Sequence, residues 1–120
     1  SLARAGRYEE AFAGYAKLNT LEPDNVDGWL DHADLILQLK GPDLAARKLR
    51  EGAQLIKLTS RYAYRMVSYL LRMGDMQQAL VALEDALMND HAAHTQLLEH
   101  YPEAAELPQV IHLLELYRRP

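Results

Sequence analysis

The chain reads as all-α, built from repeated antiparallel helix pairs and closed by a further, atypical helix pair at its C-terminal end. Three observations predict this class. Shifted along itself so that Ala11 falls on Ala45, the chain also brings Ala45 onto Ala79, aligns Tyr15, Leu49 and Leu83, and aligns Leu18, Gly52 and Ala86. A fixed period of about 34 residues is the signature of a helical repeat array. Apolar residues recur at the three-and-four spacing of a helix face through most of the chain. No stretch alternates apolar and polar residues as a half-buried strand does.

The elements follow in order. A helix carrying Ala11, Tyr15 and Leu18 ends near Leu21-Glu22-Pro23-Asp24-Asn25, because the residue before a proline avoids the helical region, and Asp24 or Asn25 can cap the next helix. That second helix carries Trp29 and Ala33 and reaches Lys40-Gly41-Pro42, where Gly41 tolerates the reversal. Pro42 suits a first helical position, since its missing N–H would be unpaired there. In the third copy Ala63, Met66, Val67, Leu70 and Leu71 form a helical stripe. Gly74 ends it, and Asp75 with Gln78 three positions later reads as a capping box. Met76, Ala79, Leu80, Leu83, Ala86 and Leu87 line the following helix, whose alanines permit a close helix crossing. Gly6, two full periods before Gly74, is expected to mark the equivalent turn in the first copy. Ala92 to Tyr101 forms a further helix stopped by Pro102, and Leu107-Pro108 opens a last one carrying Val110, Ile111, Leu114 and Tyr117.

These residues resemble the tetratricopeptide repeat (TPR), a helix–turn–helix unit of that same period. Ala3-Arg4-Ala5-Gly6-Arg7-Tyr8-Glu9-Glu10-Ala11 with Tyr15, Leu18 and Pro23 is similar to that motif's turn and second helix. The middle copy keeps Trp29, Ala33, Ala45 and Leu49, and the last keeps Gly74, Asp75, Ala79, Leu83 and Ala86. Departures are His32 at a usually apolar position, Gly52 for alanine, Ala63 where Trp29 stood, and no closing proline in the later copies. The resemblance implies a right-handed α-α superhelix, a TPR solenoid, in one domain over residues 1–120. It divides into a partial repeat (1–25), two repeats (26–59 and 60–91) and C-terminal capping helices (92–120). Terminal units of such arrays are expected to depart from the motif, since they cover a face that no neighbour buries. The register places Ser1 inside a first helix and no initiating methionine is present, so the expectation is a piece of a longer protein; a short frayed N-terminal cap is the alternative.

Composition narrows the function. Thirteen Lys and Arg against seventeen Asp and Glu give a net charge of −4 over 120 residues, which disfavours nucleic acid, whose binding runs on clustered positive charge. There is no cysteine, so disulfides, thiolate metal sites and cysteine nucleophiles are excluded. No apolar run reaches membrane-spanning length and no signal peptide is visible. The compartment stays open, the cytoplasm being the favoured reading.

No catalytic constellation emerges, and no cofactor or metal is expected. His91, His94 and His100 cluster in sequence, yet no carboxylate stands at metalloprotease spacing, and surface histidines are the expectation. His32 is expected to be a hydrogen-bonded interior residue rather than a base. No nucleophile elbow or phosphate loop is present. Glu9-Glu10 and Glu84-Asp85 read as solvated helix faces, and the methionines as packing.

The first helices of TPR units line a concave groove, so the resemblance points to their outward residues: Asp27, Leu30, Asp31, Asp34 and Gln38 in the middle copy, and Arg61, Tyr64, Arg65, Ser68 and Arg72 in the next. One strip is acidic and the other basic. Ion pairing of Asp27 with Arg61 and of Asp31 with Arg65 is one reading. An arginine-rich recognition strip with Tyr64 as aromatic anchor is the other. TPR domains that clamp the C-terminal carboxylate of heat-shock chaperones carry basic residues where Arg61 and Arg65 stand. Asp31, however, stands where that clamp uses asparagine, and the first copy's clamp positions precede Ser1. The expected function is a non-catalytic module binding a protein or peptide, including acidic segments, in the groove. The alternatives are a regulatory or structural segment of a larger enzyme or transport system, and self-association through the open N-terminal edge.

Overall fold

Caps and helix breakers set the boundaries of the helices. The computed structural model describes residues 2–118, with side chains from Gly6 onward. Ser1, at the expected open edge, and Arg119 and Pro120, at the end of the expected cap, lie outside the described residues. Among the described residues every regular element is helical, and contacts gather into two compact units that divide between Lys57 and Leu58.

The first unit holds α1 (Leu2–Leu21), α2 (Val26–Lys40) and α3 (Pro42–Ala53). The turn expected at Gly6 is not formed: α1 runs through it without a break. A single glycine costs a helix only about 1 kcal/mol relative to alanine, and the flanking alanines, leucine and arginines favour helix strongly enough to carry it through. The helix stops where the sequence requires, at Leu21, before Pro23. Asn25 Oδ1 then accepts from the Gly28 amide at 3.1 Å and caps α2, and Trp29 Nε1 donates to the Pro23 carbonyl at 2.9 Å. Gly28 faces α1 so closely that a Cβ there would lie 2.9 Å from Leu18 Cδ2. Gly41, at φ +101°, reverses the chain, and Pro42 opens α3 as its first residue. Trp29, Leu30, Ala33, Ile36, Ala45, Ala46 and Leu49 are buried.

The second unit begins with α4 (Ser60–Met73) and α5 (Met76–Asp90). Gly74 adopts the left-handed conformation at φ +80°. Asp75 then caps α5, its carboxylate accepting from the Gln78 backbone amide at 3.1 Å and from the Gln78 side-chain amide at 2.8 Å; the reciprocal half of the expected capping box is not formed, because the Asp75 amide donates to the Leu70 carbonyl instead. One turn of 3₁₀ helix (His91–His94) leads into α6 (Thr95–His100), where the sequence expected a single helix from Ala92. A second 3₁₀ segment (Pro102–Glu106) leads into α7 (Pro108–Leu116). Leu97 of α6, Ala104 and Val110 of α7 are fully buried, and they join Tyr64, Val67, Leu83 and Leu87 in one apolar core. Polar links run along its margin. Ser60 Oγ donates to Asp90 Oδ2 at 2.7 Å, and His91 Nε2–H donates to the Leu114 carbonyl at 3.0 Å.

Candidate functional site

A polar cleft of the second unit lies between α4 and α6, has a volume of about 460 Å³, and is lined by Arg61, Arg65, Gln96, Glu99 and His100. Arg61 and Arg65 stand at i and i+4 and so share one face of α4. Gln96 Oε1 is buried without a hydrogen-bond partner. Further along α4, Arg72 bridges the two helices: its Nη2 donates to the His100 carbonyl at 2.9 Å, its Nε donates to Ser68 Oγ at 3.4 Å, and its guanidinium lies 4.5 Å from the centre of the Tyr101 ring. Ser68 Oγ also shares a hydrogen bond of 2.6 Å with His100 Nδ1.

A serine hydroxyl on an imidazole invites a nucleophilic reading, but Ser68 is 0 % exposed and its Oγ is beyond the reach of a substrate carbonyl. With His100 engaged on α4, the sequence cluster of three histidines divides. His94 Nδ1–H donates to the His91 carbonyl at 2.8 Å and His91 donates to Leu114. Both rings thus serve backbone acceptors, and among the described residues no group of three His, Cys, Asp or Glu side chains converges as a metal site would require.

The expected groove strip is only partly at the surface. In α2, Asp27, Asp31 and Gln38 are exposed and Asp34 is half-buried, whereas Leu30 is fully buried. In α4, Arg61 and Arg72 are exposed and Arg65 half-buried, whereas Ser68 and Tyr64 are buried. Tyr64 therefore cannot serve as an aromatic anchor on the surface. It is 1 % exposed, and its hydroxyl donates to the Asp90 carbonyl at 2.7 Å. Burial, with the nearby Asp90 carboxylate adding to it, pushes its pKa up to about 12. The physical reason is that Tyr64 shares a helical stripe with Val67 and Leu71, both of which belong to the core. Tyr64→Phe is expected to lower stability by about 1–2 kcal/mol through the unpaired Asp90 carbonyl, while leaving partner binding unchanged. Denaturant unfolding together with a binding titration checks both halves.

Sequence reasoning missed Gln96, Glu99 and His100 as residues that line one cleft with Arg61 and Arg65. They stand far along the chain on α6, and only tertiary packing brings them to α4. His32 meets its expectation as an interior residue. It is 5 % exposed, its Nδ1 lies 2.7 Å from Asn19 Oδ1, and its ring stacks on Tyr15 with centroids 5.8 Å apart. Burial lowers its pKa, Lys48 lowers it further, and Glu51 partly offsets them. With the folded value below the ordinary 6.5, acidification protonates the unfolded chain first. The contribution is complete above about pH 6.5 and is lost as the pH falls toward the folded value. Thermal melting is expected to shift downward between about pH 7.5 and about pH 5.5, and His32→Gln should flatten this dependence.

No protein-family model, curated protein or solved structure matches the chain. No helix among the described residues is long and apolar enough to cross a membrane.

Proposed function

We propose that the chain is a protein-interaction module of the tetratricopeptide type, without chemistry of its own, and that it receives an acidic segment of a partner at the α4–α6 cleft. The observation that carries the repeat reading is the equivalence of its two complete hairpins. Ala45 and Ala79, one repeat period apart, are both 0 % exposed, and each sits in the helix that follows a positive-φ glycine, Gly41 or Gly74. The right-handed superhelix implied by that family is part of the same proposal. The cleft supports the partner's chemistry: Arg61 and Arg65 present planar, permanently charged donors suited to carboxylates, with a single carboxylate, Glu99, in the lining.

The test is selection of a phage-displayed random peptide library on the immobilised chain. Peptides enriched in Asp and Glu are expected, and their retention should be lost on the Arg61→Ala/Arg65→Ala double variant. Enrichment without acidic character, or retention on that variant, overturns the assignment of the cleft.

A further inference from the structure

The first unit carries a second cleft of about 460 Å³ among α1, α2 and α3, and its chemistry differs from that of the α4–α6 site. Phe12 and Ala16 from α1, Ile36 from α2 and Leu44 from α3 supply an apolar lining, with His32 beside them. Three cations, Lys40, Arg47 and Lys48, and two carboxylates, Glu9 and Glu51, complete the cleft. Lys48 and Glu51 satisfy one another at 2.9 Å. Lys40 Nζ lies 5.3 Å from the centre of the Phe12 ring, so a cation stands directly over the apolar surface. Among the described residues neither Lys40 nor Arg47 forms an ion pair, and Glu9 is the one other charge against them in the cleft.

An apolar hollow of a few hundred cubic ångströms with a small number of charged groups is the usual form of a small-molecule site. We infer that this cleft binds a small amphiphilic anion, a monocarboxylate whose aliphatic or aryl body lies on Phe12, Ile36 and Leu44 and whose carboxylate is held by Lys40 and Arg47. The inference is independent of the partner proposed for α4. At the His32 imidazole, on the wall of this cleft, the effect of Lys48 outweighs the opposing effect of Glu51. A carboxylate seated there adds the opposite contribution and must raise the pKa of His32.

The experiment titrates octanoate into the full chain, following the Phe12 and His32 side-chain resonances by NMR, with octanol as the neutral control. Saturable shifts with octanoate, binding about ten-fold or more tighter than octanol, and an upward shift of the His32 titration in its presence are expected. Lys40→Gln/Arg47→Gln alters two exposed side chains and should weaken octanoate by about ten-fold or more, with octanol unaffected. Equal affinity for octanoate and octanol, or octanoate binding that stays within about two-fold in the double variant, overturns the proposal. If octanoate leaves these resonances unmoved while an acidic peptide shifts them, the cleft is a protein-docking groove and the proposal fails.

Discussion

A chain ending at His94 is expected to lose the folded second unit altogether. Truncation removes α6 and α7, and with them Leu97 and Val110, which are fully buried in the core around Leu83 and Leu87. These two side chains alone bring about 3–6 kcal/mol, at about 1.5–3 each. Folded domains are stable by only about 5–15 kcal/mol in total. The polar links go as well: Ser68 loses His100, Arg72 loses the His100 carbonyl, and His91 loses the Leu114 carbonyl. The expected outcome is aggregation, or a monomer lacking the cooperative thermal transition of α4 and α5, read by circular dichroism and size-exclusion chromatography. A truncated chain that stays monomeric and melts as the intact one does would show that the C-terminal helices are an appendage.

Leu49→Ala and Leu83→Ala are each expected to cost about 2–5 kcal/mol in denaturant unfolding. The two leucines align in the proposed repeat and both are fully buried, one in each unit. Each stands one turn beyond a fully buried alanine of its helix, Ala45 or Ala79, so either substitution removes apolar atoms from a site closed to water. A large loss at one position and none at the other would break the equivalence of the two hairpins.

The start of α2, the α2–α3 turn and the α4–α5 turn were legible in the sequence because they are set by local chemistry. Asn25, Gly41 with Pro42, and Gly74 with Asp75 and Gln78 each act within a few residues of themselves, through a cap, a fixed φ or a left-handed turn. His32 was legible for a related reason, as a polar residue on an otherwise apolar face must find a partner, here Asn19. Gly6 misled because a glycine signals a turn only when its neighbours do not favour helix, and here they do. Tyr64 misled because spacing alone does not say how wide the buried stripe of α4 is. That helix buries Tyr62, Tyr64, Val67, Ser68, Tyr69, Leu70 and Leu71, leaving the arginines as its polar margin. The meeting of Arg61 and Arg65 with Gln96, Glu99 and His100 has no local signature, since it depends on how α6 returns to α4 after α5.

The proposed interaction rests on the α4 arginines, and isothermal titration of Arg65→Ala with an acidic peptide selected on the unaltered chain tests it most directly. Arg65 is half-buried at the cleft, so its charge-assisted bonds to a ligand form in a partly desolvated site. The expected result is binding weaker by about 1.5 kcal/mol or more, roughly ten-fold, with the melting temperature nearly unchanged and the remaining affinity falling as salt is raised. An affinity for Arg65→Ala equal to that of the unaltered chain contradicts the assignment and moves the interaction surface away from α4.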